Sequence, residues 1–115
     1  MTSYVLIFTT TGTREDADRI AGSLVERCLA ACVQVSGPVG STYRWKGKVE
    51  KAEEWLCSIK TDRDLYGEVE RAIRELHPYE VPEIFAVPFV EGSTDYLGWL
   101  SGQLKTSGRE EERAE

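Results

Sequence analysis

Residues 77–84 read HPYEVPEI, and this stretch decides how the second half of the chain is built. It holds the only histidine, His77, and two of the four prolines. Each proline fixes its own φ, lacks an N–H group and disfavours helical conformation in the residue before it. A helical pattern precedes the stretch and an apolar run follows it. We therefore predict a rigid linker that ends a helix, aims the next strand and can form one wall of a site.

Three helices are predicted around this linker. Two segments carry apolar residues at the three- and four-residue spacing of an amphipathic helix. The first begins after Thr13, a good N-cap, and runs to Cys28, and the second begins after Asp62 and ends at His77. Ser93 is a good N-cap for a short final helix.

Four strands are predicted from apolar runs and period-two alternation. They are residues 4–8, residues 29–36 continued by 40–45, residues 49–61, and residues 83–90. Lys46 and Gly47 form the turn between the second and third strands, and Pro38 marks a bulge. The resulting hairpin is long, because strands average about five or six residues. Its distal half must project from the domain or be covered.

The order β-α-β-β-α-β with a short C-terminal helix predicts an α+β, ferredoxin-like sandwich. Such a fold has a four-stranded antiparallel sheet with both helices on one face and leaves the other face open. Tyr43, Trp45, Trp55 and Trp99 exceed what one thin core absorbs. We therefore expect strand edges or faces to pair between subunits.

The composition limits the domain count, the partners and the compartment. A chain of 115 residues predicts one domain, residues 1–101, with 102–115 as an acidic, frayed tail. The net charge of −6 argues against a nucleic-acid partner, which needs a basic face. No run approaches the length of a membrane span and no signal peptide is evident, so no membrane partner is expected. Cys28, Cys32 and Cys57 have no regular spacing, which favours reduced thiols and a cytoplasmic location.

Five segments make the sequence resemble the CutA family of divalent-cation tolerance proteins. They are RCLAACVQ (27–34), YRWKGK (43–48), IKT (59–61), HPYEVPEI (77–84) and YLGW (96–99). The resemblance spans about residues 4–101, with Gln34 where asparagine is common in the family. It implies a tight homotrimer of ferredoxin-like protomers, similar to the PII nitrogen-signalling proteins, with long hairpins that pair across subunits. It also implies a role in tolerance of copper and other divalent metal ions.

A metal site is the first chemical candidate. Cys32 and His77 are soft and borderline ligands suited to copper or zinc, and the resemblance implies a copper-binding role for matching positions. One chain has no CxxC, HxH or HxxxH pattern to close a four-ligand site, so subunits would have to share one. The alternative is that Cys32 is a small core residue and His77 ends a helix. No cofactor is expected to be required, and copper or another divalent cation is the candidate ligand.

A small-molecule pocket between subunits is the second candidate. Its predicted residues combine aromatic walls with a cation, an imidazole and a carboxylate. They are Tyr43, Trp45, Lys60, His77, Tyr79 and Glu80. This pattern supports a PII-like sensor as the alternative function. The competing interpretation is that the aromatic residues anchor a subunit interface.

Catalysis and RNA binding are disfavoured. The sequence has no nucleophile elbow, glycine-rich phosphate loop or readable carboxylate pair, so we predict a protein that is not an enzyme. An acylphosphatase shares this element order, but Gly12 and Arg14 are not enough to form its anion-binding site. An RNA-recognition module needs a basic aromatic surface, whereas Glu50, Glu53 and Glu54 occupy the third strand.

Overall fold

The fold is a four-stranded antiparallel sheet with helices packed on it, described for residues 3–105 in a computed structural model. The elements are β1 (Tyr4–Thr11), α1 (Arg14–Glu26), β2 (Cys32–Trp45), β3 (Lys48–Asp62), a 3-10 turn (Arg63–Leu65), α2 (Tyr66–Leu76), β4 (Phe85–Pro88) and α3 (Thr94–Gly102). The strand order across the sheet is β2-β3-β1-β4. This confirms the predicted α+β class and the order of the elements.

One face of the sheet packs against both long helices. Because side chains alternate along a strand, Val5 and Ile7 of β1 share this face with Cys57 and Ile59 of β3. Ile7 pairs directly with Ile59 in the register. The helix stripes join the same cluster through Ala17, Ile20, Leu24, Val69, Ala72 and Ile73. Each large aliphatic side chain buried there contributes about 1.5–3 kcal/mol.

Side-chain caps fix where the helices begin. The Thr13 hydroxyl accepts the Asp16 N–H at 3.1 Å, and the Ser93 hydroxyl accepts the Tyr96 N–H at 3.2 Å. Both predicted caps are therefore confirmed. Asp62 caps the 3-10 turn, where its Oδ1 accepts the Asp64 N–H at 2.8 Å, so α2 begins one turn later than predicted.

The hairpin of β2 and β3 projects from the body as predicted. The strands have 14 and 15 residues, and β1 pairs with β3 only as far as Trp55. Lys46 and Gly47 turn the chain with φ values of 50° and 80°, a conformation that glycine adopts without strain. A register shift between Ser36 and Val39 confirms the bulge. The molecule is 53 Å long as a result.

The fourth strand is shorter than predicted. β4 spans only Phe85–Pro88, so the prediction of residues 83–90 was wrong in extent. Pro88 is the last of the four paired residues and has no N–H to donate to the ladder, so the regular strand ends there. β4 lies at the edge of the sheet, the position at which a proline is tolerated.

The other face of the sheet carries apolar side chains that no long helix covers. Leu6 and Phe8 of β1 lie beside Val87 and Phe85 of β4 in the register. The Phe8 and Phe85 ring centroids are 5.2 Å apart, and Phe85 remains 47% exposed. We call these four residues the open-face patch. An exposed apolar patch on a sheet is typical of an interaction surface.

The C-terminal segment is tied to the body up to Lys105. The Lys105 N–H donates to the Cys28 carbonyl oxygen at 2.9 Å, and its Nζ lies 2.7 Å from Glu68 Oε2. The rest of the predicted tail, residues 106–115, lies outside the described residues. Among residues 3–105, no helix combines the length and apolar character needed to cross a membrane.

Candidate functional site

A groove of about 740 Å³ opens where β3 runs past the end of β1. Thr11 pairs with Trp55, so Glu54 is the first β3 residue beyond the paired part of β1. The linker of residues 77–84 passes over this end. A Cβ placed on Gly12 would lie 3.1 Å from Tyr79 Oη, so the absence of a side chain at Gly12 makes room for the tyrosine.

The hairpin, the linker and the end of β1 line this groove. The lining residues are Thr10, Ser41, Thr42, Tyr43, Trp45, Glu54, Tyr79, Glu80, Val81, Pro82 and Glu83. Three of them are aromatic and three are carboxylic acids. Lysine, arginine and histidine are missing from the lining residues that the structure describes. The groove is therefore an acidic, aromatic-walled site.

Glu54 and Tyr79 form the polar centre of the groove. The Tyr79 hydroxyl donates a hydrogen bond to Glu54 Oε2 at 3.0 Å. Glu54 is only 7% exposed, whereas its neighbour Glu53 is exposed. Burial and the adjacent Glu54 carboxylate raise the pKa of Tyr79 to about 12. The tyrosine therefore stays protonated and remains a hydrogen-bond donor at neutral pH.

His77 fixes the linker to the end of β1. Its Nδ1 accepts the Tyr79 N–H at 3.2 Å, so the ring proton is on Nε2, which donates to the Thr10 carbonyl oxygen at 2.7 Å. The His77 and Tyr79 ring centroids are 4.7 Å apart. Both ring nitrogens have structural partners, and the side chain is buried. The imidazole positions Tyr79 over the groove.

Four of the six residues predicted for a small-molecule site lie together. Tyr43, Trp45, Tyr79 and Glu80 all line the groove. His77 lies beside Tyr79 without lining it. Lys60 lies elsewhere, six residues beyond Glu54 on β3, or about 20 Å at the usual rise of a strand. Its Nζ is 5.5 Å from the Tyr96 ring centroid on α3.

One protomer does not bring the two predicted metal ligands together. Cys32 pairs with Lys60, whereas Thr10, which bonds His77, pairs with Leu56. From the usual strand spacings, Cys32 and Thr10 are about 13 Å apart along the strand direction and about 10 Å apart across the strands. Within residues 3–105, no group of three His, Cys, Asp or Glu side chains is arranged to hold a metal ion. A site that uses both residues stays a prediction and requires more than one protomer.

The three cysteines are free thiols in different surroundings. Cys28 is exposed at the end of α1, and Cys32 is half-buried. Cys57 is fully buried, and burial, with the charge of Asp18, raises the pKa of its thiol to about 11. Cys57 is therefore a core residue, whereas Cys28 is an accessible thiol and Cys32 a partly accessible one.

Sequence reasoning missed Glu54 and Glu83, which line the groove, and Gly12, which makes room for Tyr79. Glu54 shares the polar parity of β3 with Glu50, and the sequence does not distinguish these two acids from each other. Its burial follows from where β1 ends and where Tyr79 lies. Its register position, one residue past Trp55 and opposite the start of the loop at Gly12, is the signal that could have found it.

The comparisons with known proteins identify the family. Residues 5–103 match the family model described as CutA1 divalent ion tolerance protein. The chain belongs to the CutA1 family. The divalent-cation tolerance protein CutA of Thermus thermophilus is 43% identical over 100 residues, which are 87% of this chain and 95% of that protein. The crystal structure of CutA1 from Oryza sativa superposes with a TM-score of 0.89 at 34% identity, over 91% of this chain and 96% of that chain. The family predicted from the sequence is confirmed.

Other CutA relatives differ in length and in the compartment that their names give. The Arabidopsis thaliana protein CutA, named chloroplastic, is 36% identical over 101 residues, which are 88% of this chain and 56% of that protein. A structure from Archaeoglobus fulgidus is titled the periplasmic divalent cation tolerance protein CutA. It superposes with a TM-score of 0.86 at 34% identity, over 89% of this chain and 99% of that chain.

Proposed function

We propose that this CutA1-family protein takes part in tolerance of, or response to, divalent metal ions, and that it acts by binding and not by turnover. The observation that carries the proposal is the family match over residues 5–103. The groove chemistry agrees with a binding role. Its polar lining consists of the hydroxyl groups of Thr10, Ser41, Thr42 and Tyr79 together with three glutamate carboxylates, and these groups can hold a ligand by hydrogen bonds.

Copper, or another divalent cation, is the proposed metal, with Cys32 as the principal ligand. Its thiol is half-buried and lies on the same sheet face as the open-face patch, because Cys32 pairs with Lys60 and Lys60 with Leu6. A thiolate is a soft ligand that suits copper. His77 can bind a metal in such a site only if its Nε2 gives up the hydrogen bond to the Thr10 carbonyl oxygen. We therefore assign His77 as a secondary ligand.

Titration of the full chain with Cu²⁺ and with Zn²⁺, followed by calorimetry and native mass spectrometry, tests this proposal. Cys32→Ser is expected to weaken copper binding, because it removes the thiolate. Cys28→Ser is the matched control, since Cys28 is an exposed thiol away from the open-face patch. Equal copper affinity in both variants and the wild type would remove Cys32 from the site. If neither metal binds, the proposed metal-binding function is contradicted.

We also propose that the protein is a cytoplasmic homotrimer of ferredoxin-like protomers, arranged as in the PII proteins. The open-face patch supports assembly, because a group of exposed apolar side chains favours burial against another chain. The projecting hairpin supports it as well, since its distal strands pair only with each other. Three unpaired cysteines fit a reducing compartment.

A second candidate function is a PII-like sensor that binds a small molecule at the groove. The observation that favours it is the convergence of Tyr43, Trp45, Tyr79 and Glu80 with the buried Glu54 around one groove. Aromatic walls with a few placed polar groups are typical of small-molecule sites. In a trimer, a neighbouring hairpin would close the open side of this groove.

A further inference from the structure

The charge of Glu54 has no counterion in the part of the chain that the structure describes. Its carboxylate is more than nine-tenths buried and lines the groove. Tyr79 donates one hydrogen bond to Oε2, whereas a carboxylate offers about four acceptor positions. No lysine, arginine or histidine nitrogen of residues 3–105 forms an ion pair with it. A buried carboxylate in this state favours a cation that can donate hydrogen bonds.

The aromatic walls around Glu54 favour an organic cation over a bare metal ion. Tyr43, Trp45 and Tyr79 line the groove, and ammonium groups bind over aromatic rings. The Trp45 ring already attracts one ammonium group, since the Nζ of the exposed Lys46 lies 5.6 Å from its centroid. Metal ions with oxygen ligands need several oxygens in a coordination shell, and aromatic carbons do not supply them.

We propose that the groove binds an organic ammonium ion of the aliphatic diamine class, with one ammonium group donating to Glu54. The assignment rests on the second function proposed above, ligand sensing at this groove, and names the chemistry of its ligand. The first ammonium group lies at the buried carboxylate, and the alkyl chain lies against Tyr43 and Tyr79. The second ammonium group meets the exposed carboxylates of Glu80 and Glu83 at the rim. The net charge of −6 attracts such dications at long range.

Calorimetric titration of the full-length protein with putrescine at low ionic strength tests this proposal. Putrescine carries two ammonium groups on a four-carbon chain, and 1,4-butanediol is its neutral counterpart. We expect saturable binding of putrescine and none of the diol. Equal binding of both, or of neither, overturns the proposal. This comparison uses the wild-type protein and does not depend on any variant folding.

Glu54→Gln is the variant that isolates the buried charge. Glutamine keeps an acceptor for Tyr79 and removes the negative charge, so we expect putrescine to bind about tenfold more weakly or worse. Glu53→Gln is the matched control, because it removes the same charge from an exposed neighbour on β3. An equal small loss in both variants would mean nonspecific counterion attraction and would overturn the assignment.

Copper titrations of the same samples separate this inference from the proposed metal function. Putrescine binding that depends on Glu54, without copper binding, supports the diamine site and removes the metal site. Copper binding that depends on Cys32, without putrescine binding, contradicts the diamine site and leaves the metal site supported.

Discussion

The Tyr79 hydroxyl donates a hydrogen bond to Glu54 Oε2 at 3.0 Å, and this contact joins the linker after α2 to the base of the long hairpin. The two residues are 25 positions apart in the chain. They meet because β1 ends at Thr11 and Gly12 leaves space for the ring. The same contact forms the centre of the acidic groove, so the packing of the linker and the chemistry of the site depend on one pair of side chains.

Alkaline titration tests the Tyr79–Glu54 contact. The pKa of Tyr79 is raised to about 12, so its neutral form contributes stability that is fully present below the usual tyrosine pKa of about 10. That stability is lost as the pH rises through about 12. Absorbance of tyrosinate in the wild type should show a late component, and Tyr79→Phe should reduce its amplitude; burial and Glu70 also raise the pKa of Tyr66, which this variant leaves in place. Tyr4→Phe is the control and should keep the full amplitude, whereas full amplitude in Tyr79→Phe would contradict the assignment.

Substitution of Gly12 tests whether the groove depends on the space above the end of β1. In Gly12→Ala, the new Cβ would lie 3.1 Å from Tyr79 Oη, so the hydroxyl must move by a few tenths of an ångström, which strains its contact with Glu54. We expect weaker putrescine binding and a lower Tyr79 pKa, measured by calorimetry and by tyrosinate absorbance. Gly22→Ala is the control on α1, where a Cβ meets nothing within 4 Å and stabilises the helix by about 0.5–1 kcal/mol. Normal binding and an unchanged pKa in Gly12→Ala would contradict this role.

Thiol labelling under native conditions should separate the three cysteines. We expect Cys28 to react first with a disulfide reagent because it is exposed, and Cys57 to react only on unfolding. Burial raises the pKa of Cys57 to about 11, which keeps it in the unreactive thiol form at neutral pH. Mass spectrometry of peptides after timed labelling gives the order. Native labelling of Cys57 at the rate of Cys28 would contradict the described core.

A charge in the open-face patch should disrupt assembly. Phe85→Glu places a carboxylate on the 47% exposed ring position beside Phe8, and we expect it to lower the mass measured by light scattering at micromolar concentration. Val25→Glu is the control, because Val25 is 44% exposed on α1, a helix that packs against the opposite sheet face. A wild-type protein that is monomeric at this concentration would contradict the proposed trimer outright. An unchanged trimer in Phe85→Glu would show that the subunit interface does not include this patch.

Periodicity and capping carried most of the fold prediction. Thr13 and Ser93 cap the helices that the apolar spacing predicts, and the turn at Lys46 and Gly47 lies where the hairpin predicts it. The extent of β4 could not be predicted in the same way. Its apolar run continues past Pro88, and only the pairing with β1 decides which residues belong to the strand.

The site was harder to predict, because its residues meet through register and not through spacing. The linker contributes Tyr79 and Glu80, which the sequence had marked. Glu54 gains its role from the point at which β1 stops, and no local pattern sets it apart from Glu50. Lys60 shares a strand with Glu54, yet lies about 20 Å away, a separation that follows directly from the strand rise.

A crystal structure of the full-length protein grown with putrescine tests the central claim most directly. The account predicts one ammonium nitrogen within hydrogen-bond distance of the Glu54 carboxylate, with the carbon chain against Tyr43 and Tyr79. Glu54 should keep its hydrogen bond from the Tyr79 hydroxyl. An empty groove at a saturating putrescine concentration, or putrescine bound only at exposed carboxylates such as Glu53, would contradict it.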